Sequence, residues 1–135
     1  VFEKAPATLN IDHHISNTMF GDEQIVKGDA SSTCEILCDL LPMDQISQKC
    51  ATCLYTGIIH DTGVFKHSNT GEKTMAYAGA LMEKGIPFGK IIDESFYQKT
   101  YRQLQILGRC LLESVRILDG TCISGEKFGL RRGDR

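Results

Sequence analysis

Ala7-Thr8-Leu9-Asn10-Ile11-Asp12-His13-His14 sets a short apolar run directly before one carboxylate and two imidazoles. Residues 7–11 have the length and apolar content of a buried strand. A strand ending on Asp12-His13-His14 delivers several metal-binding or proton-transferring groups to a single sheet edge. Further along, Asp61-Thr62-Gly63 places another carboxylate between a helical stretch and a glycine turn. Together these groups suggest half of a metal-assisted centre.

Outward from that run, Gln24-Ile25-Val26 reads as a second short strand. Ser31, Ser32 and Thr33 are good cap residues, and Glu35 stands three positions after Ser32, so a helix is expected from there to Leu41, before Pro42. Asp44 or Ser47 can cap the next helix, whose apolar positions Ile46, Cys50, Cys53, Leu54 and Ile58 form one stripe. Gly63 marks a turn and Val64-Phe65 a short extended segment. Asn69 with Glu72 resembles a capping box that opens a helix through Met75, Ala78, Leu81 and Met82, closed by Gly85. Pro87 suits the first turn of a short helix around Ile91 and Ile92. Tyr101, Leu104, Leu107, Leu111, Leu112, Val115 and Leu118 trace a long amphipathic helix up to Asp119-Gly120.

Strand–loop–helix alternation predicts an α/β domain with a mostly parallel sheet. Two or three strands against five helices is little sheet for such a domain. The chain is therefore expected to be the C-terminal portion of a doubly wound, mostly parallel-sheet fold, helix-rich over this stretch. Residues 1–120 would form part of one domain whose upstream half is absent. Residues 121–135 would form a flexible tail or lead to a further domain, with Leu130-Arg131-Arg132-Gly133-Asp134-Arg135 as a solvated terminus.

The 135 residues suffice for one core, and 41% hydrophobic with 24% charged residues is ordinary for a globular protein. A formal charge of −2 provides no global field for nucleic acid, so a phosphate-bearing substrate would need local cations. No apolar run approaches the ~20 residues of a membrane-spanning helix, and Val1-Phe2-Glu3-Lys4 does not resemble a signal peptide, so a cytoplasmic location without membrane contact is expected. Six cysteines permit a zinc reading for Cys34, Cys38, Cys50 and Cys53 and a redox reading for Cys50-Ala-Thr-Cys53. They sit in helical stretches without zinc-knuckle turns, which favours reduced thiols packed as small hydrophobes, with Cys110 and Cys122 isolated.

Three strings together carry a family resemblance: Asn10-Ile11-Asp12-His13-His14-Ile15-Ser16-Asn17, Ala30-Ser31-Ser32-Thr33, and Leu54-Tyr55-Thr56-Gly57-Ile58-Ile59-His60-Asp61-Thr62-Gly63-Val64-Phe65 with Asn69-Thr70. The chain resembles the DHH phosphoesterases from residue 7 to about 118, and within them the bifunctional oligoribonuclease and adenosine 3′,5′-bisphosphate phosphatase branch. Family II pyrophosphatases share the Asp-His-His and an Asp-Thr pair but differ downstream.

The resemblance implies a centre holding two manganese ions, with magnesium as a substitute. It implies His13 and Asp61 as metal ligands, His14 beside the scissile phosphate as the catalytic residue, and Asp12 as an orienting carboxylate behind the ligands. Lys66 and His67 are candidate substrate contacts; His60 reads as an ordinary helix-end residue, and Asp22, Asp29, Asp39, Asp44 and Asp93 as surface or capping carboxylates. Ser32 and Thr33 are most simply caps. The family's upstream aspartate motif and its C-terminal glycine-rich motif have no counterpart in the sequence, so the missing half, or a partner chain in a homo-oligomer, would complete the site. The expected reaction is hydrolysis of short oligonucleotides or 3′,5′-bisphosphonucleotides. Alternatives are a cyclic-dinucleotide phosphodiesterase, a family II-like pyrophosphatase, or, in another class, a non-catalytic nucleotide-binding or interaction module.

Overall fold

The computed structural model describes residues 4–118 and 121–124, with 113–118 and 121–124 described as backbone only. It divides into two compact units, Val1–Phe96 and Tyr97–Arg135.

The first unit starts from a parallel pair. Strand β1, Leu9–Asp12, runs beside β2, Glu23–Val26, in a register from Leu9↔Glu23 to Asp12↔Val26. Backbone bonds continue the ladder at both ends, from Glu23 N to Thr8 O (3.0 Å) and from Lys27 N to Asp12 O (3.0 Å). Asp22 locks the entry, its carboxylate accepting the Thr8 amide at 2.8 Å and the Thr8 hydroxyl at 2.7 Å. The expected buried strand over 7–11 is thus shifted to 9–12, and its burial differs too. Leu9 is 58% exposed, while polar Asn10 is the buried position. Asn10 tolerates this because its amide donates to Asn17 Oδ1 (2.9 Å) and Gln24 Oε1 (3.0 Å).

Helix α1, Thr33–Leu40, packs on β1 and is capped by Ser32, whose hydroxyl accepts the Glu35 amide at 3.0 Å. Glu35 does not close the expected capping box. Its buried carboxylate accepts the hydroxyls of Ser31 (2.5 Å) and Thr74 (2.7 Å), tying α1 to the third helix. After a 3₁₀ turn at Met43–Gln45, helix α2, Gln48–Asp61, is capped by Ser47. Helix α3 spans Glu72–Met82 and α4 spans Phe88–Ile92.

Helix α2 is the core element, packing against α1, α3 and α4. Three neighbours demand a wide apolar arc, so the buried set is Ala51, Leu54, Tyr55, Ile58 and Ile59, joined by Cys38, Ile46, Ala78, Leu81 and Ile86. The expected stripe was rotated: Cys53 is exposed and Cys50 half-buried. Gly57 allows α1 to approach, since a Cβ there would lie 2.2 Å from the Cys34 Sγ. Burial raises the Cys34 thiol pKa and pushes that of Cys38 up to about 12, the reverse of a reactive cysteine.

Two further expectations change here. Val64-Phe65 is not extended; Gly63, Val64 and Phe65 all take left-handed backbone, with φ of 56°, 57° and 63°. Asn69 is not the cap of α3. Gly71 holds that position, its amide donating to Thr74 Oγ1 at 3.2 Å, and Pro87 likewise precedes α4 rather than lying in its first turn.

In the second unit, α5, Tyr101–Arg109, opens with a capping box in which Thr100 Oγ1 accepts the Gln103 amide and Gln103 Oε1 accepts the Thr100 amide. The helix expected to reach Leu118 stops sooner. A π-helical turn, Cys110–Ser114, leads into an antiparallel pair, β3 at Val115–Leu118 and β4 at Thr121–Ser124, in register from Val115↔Ser124 to Leu118↔Thr121. Val115, Ile117 and Ile123 are β-branched, and Asp119-Gly120 between the strands is a dipeptide favoured by two-residue hairpins. Residues 121–124 of the expected tail are therefore strand, and Gly125 to Arg135 lie outside the described residues.

Candidate metal centre

Strand β1 ends on Asp12, so His13 and His14 emerge at its C-terminal edge, where parallel α/β sheets habitually present ligand-binding groups. Asp12 organises them. One carboxylate oxygen accepts the backbone amides of His13 (2.7 Å) and His14 (3.2 Å) and faces His14 Nδ1 at 2.7 Å. The other accepts the Asn17 side-chain Nδ2 at 2.6 Å. The Asn17 bond, followed by the His14 bond, holds the carboxyl well below the usual carboxylate range. An ionised carboxylate only accepts, so the His14 proton sits on Nδ1 and leaves Nε2 as its free ring nitrogen.

Helix α2 brings Asp61 to this edge as its last residue. His13 Nε2 lies 3.6 Å from Asp61 Oδ2, too long for a hydrogen bond. Divalent cations with bonds of about 2.0–2.2 Å place neighbouring ligand atoms roughly 3–3.5 Å apart. The pair is close to that spacing, and Asp61, 44% exposed against 17% for His13, leaves an open side for further ligands. The negative end of the α2 dipole also lies at Asp61, which favours a cation there over a bare carboxylate. Asp12, His13 and His14 also form the single cluster of three or more potential ligands among the described residues, with donor atoms within 4.8 Å of one another. The His13 and His14 rings sit 4.3 Å apart. Imidazole with carboxylate is a donor set that can hold a divalent cation, manganese among several.

Behind Asp61 lies the left-handed turn, built on fully buried Thr62. Its hydroxyl donates to Ile58 O (2.7 Å) and accepts the Phe65 amide (3.1 Å), while its carbonyl accepts the amides of Lys66 and His67, both at 2.9 Å. The Phe65 ring meets Tyr55 edge-on at 6.2 Å. Lys66 is exposed on this turn. His67 lies over Gly63, where an added Cβ would approach its Nε2 to 2.5 Å, and its Nδ1 faces Asp61 O at 3.3 Å. His60 points elsewhere, against Phe96 with ring centroids 4.8 Å apart.

Sequence reading passed over two residues. Asp39, read as a surface carboxylate, receives Lys27 at 2.9 Å, Lys73 at 2.6 Å and the Tyr77 hydroxyl. Lys73, then Tyr77 and Lys27, hold its carboxyl far below the usual range, and Asp39 in turn pushes the Tyr77 hydroxyl up to about 12. Asn69, read as a cap, instead donates to Ser31 O (3.0 Å) and Asp61 O (3.2 Å). Neither announces itself in sequence, because partners 8 to 38 residues away leave no local pattern. A cavity of about 520 Å³ lined by Lys27, Asp29, Glu35, Asn69, Glu72 and Lys73 opens beside Asn69. Its lysines are already committed to Asp39 and its wall carries carboxylates, so it is poorly suited to a polyanion.

Comparison with known proteins gives this geometry a context. No family model matches the chain. The bifunctional oligoribonuclease and PAP phosphatase NrnA of Bacillus subtilis is 32% identical over 96 residues, covering 67% of this chain and 31% of its own length. The protein of the same name from Thermus thermophilus is 31% identical over 87 residues (63% and 27%). A probable one from Streptococcus mutans is 35% identical over 85 residues (62% and 27%). Among solved structures, an exopolyphosphatase-related protein from Bacteroides fragilis superposes with a TM-score of 0.72 at 26% identity, covering 82% of this chain and 33% of that one. Over the matched stretch the chain is a homologue of these proteins named bifunctional oligoribonuclease and PAP phosphatase. The chain spans about a third of the length of these relatives. The expected family and the helix-rich α/β fold with a short parallel pair both stand, and the relatives are named as hydrolases.

Proposed function

We propose that this segment belongs to a metal-dependent phosphoesterase that hydrolyses short oligonucleotides or 3′,5′-bisphosphonucleotides, the substrates named for its relatives. The observation that carries the proposal is the approach of His13 Nε2 to Asp61 Oδ2, 3.6 Å apart, with Asp12 holding the adjacent His14 by its Nδ1. In this reading His13 and Asp61 are ligands to one cation, and the expected pair of manganese ions supplies, when bound, a deprotonated water and charge neutralisation at the phosphoryl oxygens. Magnesium is the alternative hard cation. Asp12 keeps the His14 ring oriented with Nε2 directed away from the carboxylate. Protonated there, His14 donates to a phosphoryl or leaving oxygen as charge builds on it. In the same reading Lys66, exposed on the turn that follows Asp61, would meet substrate phosphate.

The test is manganese-stimulated release of mononucleotides by the full-length protein carrying His13→Ala or Asp61→Ala. Both substitutions are expected to abolish it; unaltered turnover would reject the metal assignment. The exopolyphosphatase-related structural relative favours a second reading, in which the substrate is a phosphoanhydride. A substrate panel separates the two: turnover of pyrophosphate or polyphosphate without nucleotide release would replace the nucleotide reading with the anhydride one.

A further inference from the structure

The left-handed turn after α2 has a cost for Asp61. Because Gly63, Val64 and Phe65 all turn the wrong way for a right-handed helix, the ladder ends at the Thr62 amide and leaves the Asp61 carbonyl without its helical donor. The amide that would serve the Asp61 carbonyl in a longer helix, that of Phe65, is given to Thr62 Oγ1. Among the described residues, the partners of the Asp61 carbonyl are side chains, Asn69 Nδ2 at 3.2 Å and His67 Nδ1 at 3.3 Å. The Asn69 nitrogen also donates to Ser31 O at 3.0 Å. One carboxamide nitrogen has two hydrogens, and here each serves a carbonyl: one at the entry of α1, the other at the exit of α2. The turn is strained, since a β-branched residue such as Val64 is disfavoured in left-handed backbone by about 1–2 kcal/mol, and it holds only if neighbours over-determine it.

We propose that Asn69 is a positioning residue for the metal ligand Asp61: its carboxamide clasps the Asp61 and Ser31 carbonyls and so fixes the end of α2 opposite His13. The inference rests on the metal reading above. The clasp acts on the ligand's backbone and touches neither cation nor substrate. Asn69 suits this task by its donors. An aspartate of the same shape would set acceptor against acceptor at both carbonyls. Alanine would leave both unserved, and serine could reach one at most.

The test is binding of Mn²⁺ to the metal-free full-length protein, followed by the loss of the free-ion signal in electron paramagnetic resonance, with the thermal midpoint measured alongside. Groups that support a metal ligand typically cost 10- to 100-fold in affinity when removed, so Asn69→Ala is expected to weaken Mn²⁺ binding by about 10-fold and Asn69→Asp by more. Saturating Mn²⁺ should restore most of kcat in Asn69→Ala. A purely structural role would lower the midpoint and leave affinity within about twofold, overturning the proposal. If Asn69→Ala does not fold, Asn69→Ser decides: wild-type affinity in that variant overturns the clasp, and weakened affinity at an unchanged midpoint supports it. Asp61→Ala separates the two layers. Loss of Mn²⁺ in Asp61→Ala with normal binding in Asn69→Ala rejects only the clasp, whereas normal binding in Asp61→Ala rejects the metal reading itself.

Discussion

Asp12 shows how one side chain can be both motif and scaffold. Its oxygens take two backbone amides, one imidazole and one carboxamide, which leaves it to aim the histidines. Replacing it with asparagine retains the shape but frees the His14 ring to adopt the other tautomer. Asp12→Asn is therefore expected to lower kcat by about 10- to 100-fold with little change in thermal midpoint, which steady-state kinetics beside a melting curve would check. Asp39 makes a different prediction, one of stability. Its folded pKa is depressed by Lys73, Tyr77 and Lys27, so its contribution is fully present above the ordinary carboxylate value of about 4 and fades as pH falls below that towards the folded value. Asp39→Asn should destabilise the protein by about 1–2 kcal/mol at neutral pH, and the gap between variant and wild type should narrow below about pH 4 in denaturation curves. A constant gap across that range would show that charge is not what Asp39 contributes.

Among the elements, α2 is the one on which fold and site both depend. It buries one broad face against three helices and ends on Asp61. Its contact with α1 is close enough at Gly57 that a methyl group would meet Cys34 Sγ at 2.2 Å. Gly57→Ala is expected to cost about 1–3 kcal/mol through overpacking, and Cys34→Ala should recover much of that loss in a double-mutant cycle on the melting free energy. Additive losses would mean that the helices do not meet there. Helical periodicity in the sequence locates α2 but leaves its start open between Asp44 and Ser47 and misjudges its face, because Cys53 keeps step with the stripe yet is exposed among the described residues. The long helix drawn from Tyr101 to Leu118 failed for a related reason. Apolar residues at three- and four-residue steps fit its first half, whereas alternation of β-branched residues around Asp119-Gly120 governs the second.

In the first compact unit as a whole, the parallel pair is small for the apolar surface around it. Leu9, Ile15, Met19 and Phe20 are 58%, 91%, 55% and 60% exposed on β1 and the loop after it. A two-stranded parallel sheet also leaves strand edges open, an arrangement that associates readily. The 135-residue chain in isolation is accordingly expected to self-associate, with an apparent mass that rises with concentration in light scattering. Monodisperse monomer at high concentration would contradict this. Among the described residues no helix is long and apolar enough to cross a membrane.

The Asp12-His13-His14 edge, a capped helix start among Ser31, Ser32 and Thr33, another at Asp44 or Ser47, and the placement of Asp61 near a helix end were all legible in the chain, whereas α3 stops at Met82 with Glu83 as its cap, short of Gly85. Each legible feature rests on neighbours a few residues apart, where stereochemistry and side-chain reach act directly. Other features came from three-dimensional packing. The 3.6 Å approach of His13 to Asp61 joins residues far apart in sequence, as do the convergence of Lys27, Lys73 and Tyr77 on Asp39 and the bond from Asn69 to Ser31. The left-handed run at 63–65 belongs with them, since nothing in Val64 or Phe65 favours it and it stands on buried Thr62 and the Phe65–Tyr55 contact. Hydrogen bonds and packing between distant segments leave no periodic trace in a sequence, because either partner alone is an ordinary residue.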